Sequence, residues 1–186
     1  WRMTEEEETQ IWTSIGLSLF LIYIILGMLY ENIFQPILIM LSIPLALIGV
    51  FLAFTWMDYT WDATAYIGVI LLFGIVVNNA ILLIDNINQH VRRSSRVIES
   101  IVIGTKERIR PIFMTSATTV LGMLPLIIFR GDSKSDIWSS LALCTVGGLT
   151  TSAILILFVL PIFYYLFFLL QKNLFKGRKK AAASIQ

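Results

Sequence analysis

The chain has 186 residues, of which 57 % are hydrophobic and 14 % charged, with a mean hydropathy of +0.81 and a formal net charge of +2. A water-soluble domain of this size spreads ionised groups over most of its surface; here they fall in blocks between long apolar runs, which excludes that class and leaves an integral membrane protein. The single cysteine, Cys144, and the single histidine, His90, exclude an intrachain disulfide, a cysteine metal site and a multi-histidine cluster within these residues.

Residues 1–10 hold four consecutive glutamates rather than a basic leader, so they read as an acidic lead-in and not as a signal peptide. Trp1 in place of a starting Met leads us to expect that the sequence begins inside a larger polypeptide. Five apolar spans follow, over about residues 11–30, 36–56, 63–87, 108–129 and 137–170. Trp12 and Tyr30 bracket the first at the depths where amphipathic rings settle. Pro36 opens the second, its missing N–H being one that would be unpaired anyway, and Pro44 is expected to bend it. The third is long enough to cross with tilt. Pro111 lies in the first turn of the fourth, with Gly122 and Pro125 further along. The fifth exceeds one bilayer crossing, and Pro161 marks a potential kink. The predicted fold is all-α: a five-helix transmembrane bundle.

Two connections differ sharply in charge. Arg92, Arg93, Arg96 and Lys106 follow the third span, with Arg108 and Arg110 just beyond, and residues 171–186 form a basic tail. The stretch from Met57 to Asp62 has no basic residue, while from Arg130 to Asp136 the basic Arg130 and Lys134 are offset by Asp132 and Asp136. The Glu31–Gln35 loop is neutral on this question. The positive-inside rule therefore predicts a cytoplasmic C-terminus and, with five crossings, an N-terminus outside. Between the third and fourth spans, Val97, Ile98, Ile101 and Val102 make an apolar stripe. It predicts a short amphipathic helix over about residues 94–106 lying along the inner face, capped by Ser94 or Ser95 and ended by Gly104.

The polar insertion Gly74-Ile-Val-Val-Asn-Asn-Ala-Ile-Leu-Leu-Ile-Asp85 stands out in the third span. Polar groups in hydrocarbon are costly, so they face protein or water. Asn78 and Asp85 are seven apart and share a face, with Asn79 about 100° round. The asparagines read either as interhelical hydrogen-bond glue or as a functional site; Asp85, near the cytoplasmic end, either reaches water or titrates. On the fourth span Arg108 and Thr115 are also seven apart, with Thr119 nearly in line. Thr115 is open to bonding its own helix, and Arg108 to interfacial anchoring or to bringing its charge inward. Gly122, and on the fifth span the strip containing Cys144, Gly147 and Gly148, read as close-packing positions. No phosphate-binding glycine loop, metal-ligand set or nucleophile–base spacing occurs, so no enzyme activity, metal or cofactor is expected.

Together with Arg108-Ile-Arg-Pro-Ile-Phe-Met-Thr-Ser116 and Leu121-Gly-Met-Leu-Pro125, the Gly74–Asp85 stretch resembles the resistance–nodulation–division (RND) family of proton-driven efflux pumps. Tyr30-Glu31, the Ser42-Ile-Pro-Leu run and Gly147-Gly148 continue the resemblance across nearly the whole chain. It implies a C-terminal half-bundle: helices eight to twelve of a twelve-helix transporter with large periplasmic porter domains. Family pumps relay protons through two aspartates on the fourth helix, a lysine on the tenth, and an arginine and a threonine on the eleventh. The resemblance puts Asn78 at the lysine, Asn79 at the following asparagine, Arg108 at the arginine and Thr115 at the threonine, with Asp85 a weaker candidate. Asn78 departs from the pattern, since an amide bonds a carboxylate without forming an ion pair.

The implied protein sits in a bacterial inner membrane as a homotrimer. It draws on the proton gradient and works with an N-terminal membrane half, its porter domains, lipid and, in a Gram-negative cell, a periplasmic adaptor and outer-membrane channel, but with no nucleic acid. The other readings are a non-transporting scaffold, half of a split transporter, and an RND-superfamily lipid carrier or protein-export accessory.

Overall fold

The computed structural model describes residues 5–30, 34–93, 96–128 and 136–183, and they form six helices. These are α1 (Glu5–Tyr30), α2 (Phe34–Met40), α3 (Ser42–Trp56), α4 (Ala63–Arg93), α5 (Val97–Ile128) and α6 (Asp136–Ala183). Five stretches are long and apolar enough to cross a membrane, with Gln35–Trp56 forming one crossing from α2 and α3. The chain is thus an all-helical, multi-pass membrane bundle. The proposed caps Ser94 and Ser95, the residues at 31–33, and Arg130 and Lys134 lie outside the described residues.

Helix ends follow local chemistry more than apolar length. Among the described residues α1 is already helical at Glu5, ahead of the span that opens near Ile11, and its first turn carries Glu5-Glu6-Glu7-Glu8. Carboxylates there complement the positive end of the helix dipole. The chain breaks at Leu41, in the turn before Pro44. Pro44 has no N–H for the Met40 carbonyl and crowds that turn. Asp62 caps α4, its Oδ1 accepting the Ala65 N–H at 2.8 Å. α4 then runs beyond Ile87 to a last turn carrying His90, Arg92 and Arg93, cations suited to the negative end of the dipole.

The separate connector helix over residues 94–106 is not what forms. Val97–Ile128 is one continuous helix, and Gly104 sits inside it. A Cβ at Gly104 would lie 3.1 Å from the Ile87 Cα, and the Gly104 carbonyl accepts a 2.8 Å hydrogen bond from Asn86. Close packing on α4 therefore outweighs the roughly 1 kcal/mol helix penalty of a glycine.

α6 lies at the centre of the bundle, against α3, α4 and α5; α4 also packs on α5, and α1 touches only α2 and α4 among the described elements. Leu72, Leu83, Ile84, Ile87, Leu149 and Leu160 are fully buried between them. Lipid tails are as apolar as leucine, so close van der Waals fit and interhelical hydrogen bonds carry the association. At the α3–α6 crossing a Cβ on Gly147 would meet Ala53 Cβ and, at 2.9 Å, the Gly49 carbonyl oxygen; one on Gly49 would run into Gly147 and Thr151. Gly148 makes room for Leu72, and Cys144 is buried against Gly68.

Polar ties join the helices near the basic end. The Tyr164 hydroxyl donates to Asn88 Oδ1 at 2.6 Å, Asn88 Nδ2 donates to Gln35 Oε1 at 3.4 Å, and Tyr30 donates to the Ile81 carbonyl at 3.2 Å. At the other end Trp61 stacks on Phe54 with centroids 4.6 Å apart, and Tyr66 joins Trp61 to Trp12 of α1. Such rings suit a membrane–water boundary.

Candidate functional site

α4 is buried round most of its circumference except along one line. Ile67, Leu71, Gly74, Asn78, Leu82, Asp85, Gln89 and Arg92 are exposed, at spacings of three and four residues, which traces a single stripe along the helix. It is apolar up to Gly74 and predominantly polar from Asn78 onward. A Cβ on Gly74 would meet none of the described residues within 4 Å, so at this level of the stripe the described helices bring no close neighbour.

The two asparagines part company. Asn78 lies on the open stripe, whereas Asn79 is 5 % exposed and points among the packed helices. Asp85 is on the stripe with Asn78, and its Oδ2 accepts from Gln89 Nε2 at 2.9 Å. It lines a pocket of about 520 Å³ between the ends of α1 and α4.

α4 and α5 form an antiparallel hairpin pinned by a side chain that the sequence reading passed over. Asn86 Nδ2 donates to the Gly104 carbonyl at 2.8 Å and to Glu107 Oε2 at 3.1 Å. Glu107 Oε1 is 3.5 Å from His90 Nε2, while His90 Nδ1 lies 3.0 Å from the Asn86 carbonyl oxygen. That carbonyl only accepts, so a hydrogen bond there assigns the proton to Nδ1. The available signal was Asn86 and His90 four apart on the face that also carries Leu83 and Ile87.

This pin sets the levels of the other candidates. Asn78 is eight residues before Asn86, about 12 Å along the axis, and Thr115 is eight to eleven residues beyond Gly104 and Glu107, about 12–16 Å the same way. Thr115 therefore lies within about one helical turn of the Asn78 level. Arg108, half-buried, falls near the level of Asp85. Thr115 is exposed and its hydroxyl bonds the Pro111 and Ile112 carbonyls of its own helix, at 3.2 and 3.1 Å. Gly122 is exposed with nothing within 4 Å of an added Cβ, so the described helices do not supply the packing expected there. Among the described residues no group of three or more His, Cys, Asp or Glu is placed to hold a metal ion.

Ser116, next to Thr115, is 6 % exposed, and among the described residues its Oγ is the one buried side-chain polar atom without a hydrogen-bond partner. Removing an unsatisfied hydroxyl recovers its desolvation cost of about 1–3 kcal/mol. Ser116→Ala is accordingly expected to leave thermal stability of the full-length protein unchanged or raised. A clear fall in melting temperature would mean that the hydroxyl has a partner in the complete protein.

Fold and site together define a polytopic membrane bundle in which α4 leaves a stripe, polar from Asn78 onward, open among the described helices. The chain belongs to the AcrB/AcrD/AcrF family of RND efflux transporters, whose family model matches residues 2–168. It is 35 % identical over 161 residues to Multidrug resistance protein MdtC of Erwinia amylovora, covering 86 % of this chain and 16 % of that protein. It is 34 % identical over 166 residues to the MdtC of Yersinia pestis bv. Antiqua, covering 88 % and 16 %. Among solved structures, two crystal forms of a heavy metal efflux pump match at 35 % and 34 % identity with TM-scores of 0.72 and 0.74, covering 82 % and 86 % of this chain but 15 % of theirs. The chain thus spans 16 % of the length of those curated relatives.

Proposed function

We propose that the full protein is a proton-driven efflux transporter and that this segment supplies one wall of its proton relay. The observation that carries this reading is the stripe on α4, open along an otherwise packed helix and turning polar at Asn78. Exposed Gly74 and Gly122 support it, since small residues let a neighbouring helix approach closely. The relay acids come from the N-terminal membrane half. Asn78 and Thr115, at one level of the hairpin, hydrogen-bond the ionised acid, while Arg108 adds positive charge about two turns away and Asn79 braces the pair from the core.

Protonation removes the charge these groups hold and releases the helices to repack, a change that passes to the porter domains. The difference in proton affinity between the two states is what drives the shift. The transporter sits in a bacterial inner membrane with its basic C-terminal tail cytoplasmic. It works as a homotrimer, with an adaptor and outer-membrane channel where the cell has an outer membrane, and takes its energy from the proton gradient. The MdtC relatives are named for multidrug resistance, which favours drugs and other amphiphiles as cargo. A heavy metal efflux pump of similar identity makes metal ions the second reading.

In the full-length protein, Asn78→Ala, Thr115→Ala and Arg108→Ala are each expected to depress efflux from cells at unchanged expression. A hydrogen bond to a charged group is worth about 1.5–3 kcal/mol, so losing one shifts the acid's proton affinity by about ten- to a hundredfold. Full activity in all three variants overturns the assignment.

A further inference from the structure

We propose that Asp85 is the port at which the relay exchanges its proton with water at the basic end of the bundle, an inference that rests on the relay reading above. Asp85 is seven residues beyond Asn78 on the same exposed stripe of α4, about 10 Å along the axis. Leu82, which is 41 % exposed, is the one stripe residue between them. From Asp85 outward the stripe continues through Gln89 and Arg92 to the end of the helix.

The pocket at this point makes the stripe more than a polar surface. It measures about 520 Å³, and its lining includes Asp85, Gln89 and Arg92 from α4, Tyr30 from α1 and the apolar Leu82. A water occupies about 30 Å³ in the liquid, so there is room for on the order of ten waters with several polar partners. Gln89 Nε2 holds Asp85 Oδ2 at 2.9 Å and so fixes the carboxylate at the pocket wall. The charged or titratable neighbours facing it are Arg92 on α4 and Tyr30 on α1. On the α5 side, Glu107 and His90 engage Asn86, one residue and about 100° further round the helix.

The step balances without a further reactant. A relay carboxylic acid gives its proton to a pocket water, Asp85 takes that proton as its carboxylate becomes a carboxylic acid, and then passes it to bulk water. One O–H bond breaks and one forms at each transfer. Asp85 thereby receives the proton on the far side of the Leu82 level, where the stripe stays polar through Gln89 and Arg92 to the end of the helix.

The experiment uses the full-length transporter reconstituted in vesicles with a trapped pH dye. Asp85→Asn is expected to slow proton-coupled flux by about tenfold or more, the scale of a positioned acid–base group, and Asp85→Glu to restore it. Cys144 is buried, so Asp85→Cys is expected to add, over the labelling of the unsubstituted full-length protein, a site that reacts with a charged, membrane-impermeant thiol reagent added from the basic side alone. Wild-type flux in Asp85→Asn, no rescue by glutamate, or labelling from the opposite side overturns the port. Asn78→Ala, run in parallel, separates the two claims. If it loses flux while Asp85→Asn keeps it, the port alone fails; if it keeps flux, the relay reading fails and the port with it.

Discussion

Gly147→Val in the full-length protein is expected to yield little folded, membrane-inserted transporter. Any side chain at this position must enter the crossing of α3 and α6, where a Cβ already meets Ala53 Cβ and lies 2.9 Å from the Gly49 carbonyl oxygen. Neither obstacle is the flexible tip of a side chain, and the facing Gly49 has no more room to give. Relief requires the two helices to move apart, which also disturbs the seat of Leu72 beside Gly148. Overpacking of this kind costs about 3 kcal/mol, roughly a hundredfold in the ratio of folded to unfolded molecules. Size-exclusion profiles in detergent and protease resistance would measure it. Gly122→Val is the instructive contrast, because none of the described residues lies within 4 Å of a Cβ there. A loss of fold at Gly122 would report a helix contributed by the rest of the protein.

Asn78→Lys is expected to move the pH dependence of transport to more acid values. In the proposed relay Asn78 holds a carboxylate by a neutral hydrogen bond. A lysine there adds a positive charge beside the acid and favours its ionised form. The acid then loads a proton only at lower pH, so the pH of half-maximal flux falls, and transport near neutrality weakens while persisting in acid. An unchanged profile would mean that position 78 does not face the titrating group.

The sequence was most informative where periodicity and charge act locally. The five apolar spans and the separation of Asn78 from Asn79 by about 100° follow from spacing, and these are the features that place the open stripe. The sequence misled where tertiary contact decides. Gly104 carries an end-of-helix signature, yet α5 runs through it because Ile87 needs a neighbour without a side chain. Asn86 gave little warning of its role, since its value lies in reaching Gly104 and Glu107 across the hairpin. The bond of Thr115 to its own helix was one of the uses its position in the sequence allowed, and its hydroxyl reaches the Pro111 and Ile112 carbonyls.

The stripe on α4 has meaning only if an acid from the other half comes to it, and proton movement reports that most directly. With purified full-length protein in vesicles, substrate carried one way should be matched by protons moving the other. The account predicts that this counter-flow is present in the native protein and lost in Asn78→Ala at equal reconstituted amounts. Counter-flow in Asn78→Ala at the native rate would contradict it.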